Sequence, residues 1–231
     1  MLAALGSGAS RAATFGGGIT GVTDYIFRGI SWNDGNPAAQ LDLHVAANSG
    51  LFAGVWASTL DRGAGRSKLE LELYAGKRFV LSTDWSATLT ATDYNYLRGS
   101  TLGYLAYQEI SASFSYLDIW NFSLTASPNT PRYWERSSLG RHPAYDADVS
   151  MQWPLFGPAY LTAGAGYYYL TGPSGNRAGM PGYAYGNAGI ALERSAWRLD
   201  VGYYFADAQA EYLFPYAGST RRVAAALSWR F

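Results

Sequence analysis

Few residues in this chain of 231 could do covalent chemistry. It has two His and no Cys, which removes thiol catalysis, disulfides and Cys-based metal sites together. His44 follows Asp42 by two positions, so on a strand the two share one face. A serine hydrolase would also need a nucleophile brought to that His, and no G-x-S-x-G elbow occurs. His142 precedes Pro143 in the longest connection and reads as a loop residue. No His spacing suits a metal. Gly16-Gly17-Gly18 and Gly164-Ala165-Gly166 lack the Lys-Ser/Thr of a phosphate loop and read as close-packed or bent strand positions. No enzyme, cofactor or metal is expected, and a hydrolase built on His44 is kept as a rival.

The other constellation is a set of charges at alternating positions. These are Asp24, Arg28, Asp42, Lys68, Glu70, Glu72, Arg78, Glu109, Asp146, Asp148, Arg198, Asp200, Arg222 and Arg230. Facing one another across a water-filled lumen, they would create a transverse field that orients polar solutes and sets a weak ion preference. Packed against one another, they would instead cross-link a wall and leave no pathway. Asp24, Arg28 and Arg222 are expected to cluster at the outer mouth, with Glu70 and Glu72 nearer mid-lumen.

Positioning such a set needs strands. Alternating segments of about ten residues, separated by turn residues, are read at 17–27, 37–48, 51–60, 67–78, 84–95, 105–116, 119–128, 144–153, 159–169, 183–193, 196–206 and 220–231. In 144–153, Tyr145, Ala147, Val149, Met151 and Trp153 oppose Asp146, Asp148, Ser150 and Gln152. The last segment sets Val223, Ala225, Leu227, Trp229 and Phe231 against Arg222, Ala224, Ala226, Ser228 and Arg230. Segments 51–60 and 183–193 alternate poorly.

Short connections (49–50, 80–83, 117–118, 154–158, 194–195) alternate with longer ones (28–36, 61–66, 96–104, 129–143, 170–182, 207–219). Tight turns at one end and extended loops at the other are the asymmetry of an outer-membrane barrel, and an even strand number brings both ends to the short-turn side. Trp85, Trp120, Trp153, Trp197 and Trp229 lie beside short turns, as an interfacial aromatic girdle requires. Phe231 is expected to complete the closing strand and act as an assembly signal.

Composition narrows the class. Charged residues make up 15% and aromatics 16%, with 19 Tyr. That is too little charge for an ordinary soluble surface. Zero formal charge argues against a nucleic-acid partner, and no apolar run is long enough for a spanning helix. About twelve strands closed into a barrel enclose more than side chains can fill, which disfavours a lipocalin-like soluble barrel. A two-sheet sandwich remains open. Residues 1–13 read as a residual export signal or a disordered start, and 14–231 as one barrel.

Val22-Thr23-Asp24-Tyr25-Ile26-Phe27-Arg28-Gly29-Ile30-Ser31, then Asp34-Gly35-Asn36-Pro37-Ala38-Ala39-Gln40, Gly50 to Ser58 and Glu70 to Gly76 together resemble the proteobacterial TorF-like porin family of short outer-membrane barrels. Trp32 and Asn33 depart from it, standing where a polar Gln-Thr type pair would be. The resemblance implies an outer-membrane barrel and a channel, with no established substrate. It marks Asp24, Tyr25, Phe27, Arg28, Gly29, Pro37 and Gln40, for closing the first hairpin or for solute contact.

The expectation is therefore an all-β, twelve-strand transmembrane barrel acting as a porin-like channel. Its partners would be the lipid bilayer, the barrel assembly machinery and small polar solutes. The rivals are a non-conducting structural or adhesive barrel working through loops 129–143 and 170–182, and the hydrolase.

Overall fold

The structure is a computed structural model, and it describes residues 13–61, 68–97, 106–131, 140–171, 182–214 and 219–231. Twelve antiparallel strands close into a barrel: β1 (Ala13–Val22), β4 (Ala38–Ala47), β5 (Leu51–Thr59), β6 (Leu69–Val80), β7 (Trp85–Leu97), β8 (Tyr107–Tyr116), β9 (Trp120–Pro131), β10 (Arg141–Pro154), β11 (Ala159–Leu170), β12 (Gly182–Arg194), β13 (Trp197–Ala206) and β14 (Arg221–Arg230). Each pairs with its sequence neighbours in the wall, and β14 returns to β1. The remaining two, β2 (Ile26–Phe27) and β3 (Ile30–Ser31), form a small hairpin outside the wall's ladder.

Closure is made by backbone. β1 and β14 pair from Gly18↔Arg230 to Val22↔Ala226, and Gly17 and Phe231 exchange both N–H···O bonds at 3.0 Å. No edge of the barrel is left with unpaired donors facing lipid along this seam, which is what a spanning sheet demands. The Phe231 ring lies outside, 5.0 Å from the Trp229 ring. A side chain on Gly17 would meet that ring at 3.0 Å.

The two faces separate as alternation dictates. Ile19, Leu73, Leu89, Ile110, Leu124, Ile190, Val201 and Leu227 point out and are exposed, while Glu70, Glu109, Asp146 and Ser127 point in and are buried. A continuous outward band of large apolar side chains is stable only in lipid, so the barrel spans a membrane. In the two poorly alternating strands the same parity holds. Trp56 and Ser58 face in from β5, and Tyr183 and Tyr185 face in from β12. The short-turn rim carries Trp85 tilted against Tyr116 with ring centres 4.8 Å apart, and Trp197 at 6.4 Å from Trp229.

Two boundaries differ from the sequence reading. The first strand spans 13–22, not 17–27: after Val22 the chain leaves the wall and folds inward. Asp24 there accepts a 2.7 Å bond from Ser31 Oγ, and Arg28-Gly29 makes the β2–β3 turn. Ala13 therefore belongs to β1, and residues 1–12 of the export-signal reading lie outside the described residues. The β9–β10 connection is shorter than 129–143, because both strands run on beyond the Asn129 and Pro143 turn residues. His142 is a strand residue opposite Thr130, at a bulge that lets Pro143 into the ladder. Residues 132–139 and 172–181, which carry most of the proposed adhesive loops, lie outside the described residues.

Two outcomes follow. Val201→Arg or Leu71→Arg should cost about 2–4 kcal/mol on refolding into lipid vesicles, whereas Ser150→Arg on the inner face should cost far less. Equal costs would refute the face assignment. Removing residues 229–231 takes away the Gly17–Phe231 and Gly18–Arg230 rungs, so the heat-modifiable mobility of the folded barrel on a gel should be lost.

Candidate functional site

The sequence passes from β1 to β4 through fifteen residues rich in Ile, Phe, Tyr and Trp, a composition that cannot stay in water. They fold into the lumen. At the tip, Arg28 (φ 48°) and Gly29 (φ 77°) take the two left-handed positions of a type I′ turn. Gly29 has no alternative, since a Cβ there would lie 2.6 Å from that of Tyr185. Asp34 (φ 60°) and Gly35 (φ 78°) repeat the geometry on the way out, with Asn36 N–H bonded to Asn33 O at 3.0 Å.

Arg28 anchors the hairpin to the far wall. Its guanidinium donates to both carboxylate oxygens of Glu109 on β8, at 2.9 and 3.0 Å, and its Nε lies 3.5 Å from Asp146 on β10. All three side chains are at least nine-tenths buried. Burial would lower the Arg28 pKa, but Glu109 and Asp146 outweigh it and the net shift is upward. Tyr94 donates to Glu109 at 3.2 Å and Tyr185 to Asp146 at 2.9 Å, while the guanidinium lies 4.9 Å from the Tyr168 ring centre. A left-handed Arg is strained by about 1–3 kcal/mol, and these bonds hold it there.

The two residues that depart from the resembled family seat the hairpin. Trp32 is buried among Phe27, Tyr96 and Phe214, with ring centres 6.1–6.4 Å away. Asn33 is fully buried: its amide donates to Asn36 O and Pro37 O, and its carbonyl accepts from Asp61 N–H at 2.5 Å. From above, the short helix α1 (Gln209–Leu213) brings Phe214 against Tyr168 and Tyr183. Among the described residues on this side of the hairpin, a cavity of about 20 Å³ between Phe27, Trp32, Tyr168 and Phe214 has room for a single water.

The opposite side is open. A cavity of about 330 Å³ at the short-turn end is lined by Thr20, Gln40, Asp42, His44, Ser228 and Arg230. A second, of about 170 Å³, runs between the hairpin and the β13–β14–β1 wall past Tyr25, Tyr204, Ala224 and Ala226. Gln40 and Trp56 border both, so the two adjoin. Room exists there because β14 turns Ala224, Ala226 and Ser228 inward, where β7 and β12 present Tyr94, Tyr96, Tyr183 and Tyr185.

The fourteen charges thus divide. Asp24 and Arg222 meet at 3.6 Å at the outer end of the second cavity, and burial raises the Asp24 pKa against the lowering effects of Ser31 and Arg222. Arg28 is not part of that cluster: its own turn carries it across the lumen to Glu109 and Asp146. Glu70 is buried against the Tyr96 hydroxyl (2.8 Å), and Glu72 and Asp148 are half-buried on the inner face. Arg198 binds Asp200 at 2.8 Å and Glu193 at 3.1 Å low in the barrel. Lys68, Arg78 and Arg230 are rim residues, paired with Asp61, Asp118 and Glu193. His44 Nδ1 lies 2.6 Å from Asp42, whose other oxygen accepts from Tyr74 at 2.6 Å. Among the described residues lining this cavity, the Ser228 hydroxyl is bonded to Thr20 at 2.9 Å and not to His44.

A closed twelve-strand barrel with an apolar exterior, an inward hairpin and a polar side cavity defines a transmembrane β-barrel of porin architecture. The chain belongs to a bacterial protein family of unknown function, Gcw_chp, which it matches over residues 6–231. Its fold is similar to the NanC porin (TM-score 0.61, 10% identity, 91% of this chain and 97% of that one). It is also similar to the KdgM porin in complex with disordered oligogalacturonate (TM-score 0.53, 9% identity, 94% and 99%). No curated protein matches it by sequence.

Arg28→Met should destabilise the barrel by about 3–5 kcal/mol in vesicle refolding, because two buried carboxylates lose their counter-charge. Adding Glu109→Gln and Asp146→Asn should restore much of that loss. A triple variant no better than Arg28→Met would show that the anchor's charges are not coupled.

Proposed function

We propose that this protein is a passive channel of the porin kind in a bacterial outer membrane, passing small polar solutes or ions beside the hairpin. The observation that carries this reading is the space kept in the lumen. A structural barrel would fill its interior throughout, whereas among the described residues a polar space of about 330 Å³ adjoins a more apolar one of about 170 Å³ beside the hairpin. The hairpin is then the constriction, and the Asp24–Arg222 pair bounds its outer exit. We also infer the finer kinship with the TorF-like porins, on the stretch from Val22 to Gln40 that builds this hairpin. The lipid bilayer, the assembly machinery that reads Phe231 and a small polar solute complete the set of partners.

The tyrosine packing above the hairpin favours a second reading, a closed barrel with a purely structural role. The oligogalacturonate of the KdgM complex is a polycarboxylate, and it does not transfer well to a passage whose cations are already paired with Asp24 and Glu193.

Planar-bilayer recording of the refolded chain separates the two. Stepwise conductance is expected from the natural chain, and larger steps when residues 25–36 are replaced by a short Gly-Ser linker. Steps in the linker variant alone would establish the plugged barrel, and steps in neither would refute the channel.

A further inference from the structure

The arginines on the open side of the lumen are all matched by acids, and two carboxylates are left over beside one aromatic ring. Resting on the channel reading, we infer that the solute class is a small organic cation, an alkyl amine or diamine in its protonated form, and that Trp56, Asp42 and Glu72 form its subsite.

Trp56 stands on β5 in register between Asp42 on β4 and Glu72 on β6. Directly opposed residues have Cβ atoms about 4.5–5.5 Å apart, so the inward indole has a carboxylate-bearing neighbour on either side. Asp42 lines the cavity of about 330 Å³, and Trp56 borders both that space and the adjoining one of about 170 Å³. A solute moving from one to the other therefore passes the indole. The Tyr25 ring lies 5.6 Å from it at 56°, and Tyr204 borders the outer space with them. Opposite stand Ala224 and Ala226, which leave room for a ligand over the ring.

The basic side chains nearby are already committed. Arg222 faces Asp24 at 3.6 Å, Arg230 faces Glu193 at 3.2 Å, and Arg198 binds Asp200 and Glu193. Arg78 reaches Asp118 on the rim, and Arg28 is held by Glu109 and Asp146 across the lumen. Asp42 accepts a bond from Tyr74 and pairs with His44. Glu72 is half-buried on the inner face. Among the described residues, neither Asp42 nor Glu72 has an Arg or Lys within ion-pair distance.

A carboxylate drawn partly out of water gains most from a cation that comes to it. A protonated alkyl amine suits this place in two ways. Its charge is attracted both to the carboxylates and to the face of an indole, and its N–H groups donate to carboxylate oxygen. Its methylenes cover the apolar ring, and a diamine can lay them there with an ammonium toward either carboxylate. An anion meets like charge on both sides of the ring, and a neutral solute gains nothing from either acid.

The test is current block in planar bilayers with three probes built on the same run of methylenes: putrescine as the cation, butanediol as the neutral analogue and adipate as the anion. Recording at about pH 8 keeps the amines protonated. Putrescine is expected to reduce the ion current in a saturable way, and each of the other two to need at least about tenfold more for the same effect. Glu72→Gln should raise the half-blocking putrescine concentration by about tenfold, Trp56→Leu should weaken the block as well, and Trp56→Phe should keep most of it. Should Glu72→Gln fail to give the folded gel mobility, Asp42→Asn carries the same test. Conductance that putrescine does not affect, or affects equally in the folded variants, overturns this inference and leaves the channel standing. Equal block by butanediol overturns the selection of charge, and stronger block by adipate overturns it in favour of an anionic solute. Absence of any conductance overturns the channel reading and this inference with it.

Discussion

Everything inside this barrel depends on one buried ion cluster. Twelve strands enclose more space than their own side chains fill, so the lumen must hold either water or chain. The chain that enters is apolar at Tyr25, Phe27, Ile30 and Trp32, but a two-strand hairpin of this size has no independent stability. Arg28 fixes it by bridging to Glu109 and Asp146 on strands across the lumen. Such buried pairs rarely add net stability over an apolar replacement, because desolvation cancels much of the attraction. What the cluster supplies is position. A guanidinium that must satisfy two carboxylates on different strands fixes the depth and rotation of the hairpin, and the tyrosines then pack around a part already placed.

That placement explains the uneven wall. Where the hairpin leans, on β7 to β12, the inward outer-end residues are Tyr94, Tyr96, Tyr107, Tyr168, Tyr183 and Tyr185, whose rings meet the hairpin or one another. Their hydroxyls also serve the carboxylates, as with Tyr94 on Glu109, Tyr96 on Glu70 and Tyr185 on Asp146. Away from the hairpin, the β14 wall carries Ala and Ser. The inward segment meets that wall only near its outer end, through Thr23 at Ala225 and Asp24 at Arg222, and the small side chains below leave space.

The barrel was legible in the sequence because period-two alternation and the rhythm of short and long connections are local signals that the membrane enforces. Glu70 against Leu71, or Asp146 against Tyr145, states its face without reference to any other strand. The hairpin was less legible. Tyr25 and Phe27 continue the alternation of Ile19 and Gly21, so periodicity alone extends the first strand through them, and only the Arg28-Gly29 and Asp34-Gly35 turns mark the departure. One signal did point inward: an outer connection holding Ile26, Phe27, Ile30 and Trp32 is too apolar for water. The role of each charge was least legible, since parity places Glu70, Glu109 and Asp42 on one face alike. Which of them meets water depends on where a loop from elsewhere in the chain lies.

The two ion pairs made by the inward segment differ in geometry. The Arg28 cluster is bidentate, short and shielded from solvent. The Asp24–Arg222 contact is longer at 3.6 Å, and its Arg side chain is one-third exposed. Water can replace a partner for Arg222, but Asp24 is as buried as Glu109, so parting this pair would strand a carboxylate without solvent. The return to the wall is tied down as well: Gly35 N–H donates to Ser31 Oγ, and the Asn33 amide donates to Asn36 O and Pro37 O. The inward segment is therefore held on both sides of the lumen, through Arg28 to β8 and β10 and through Asp24 to β14.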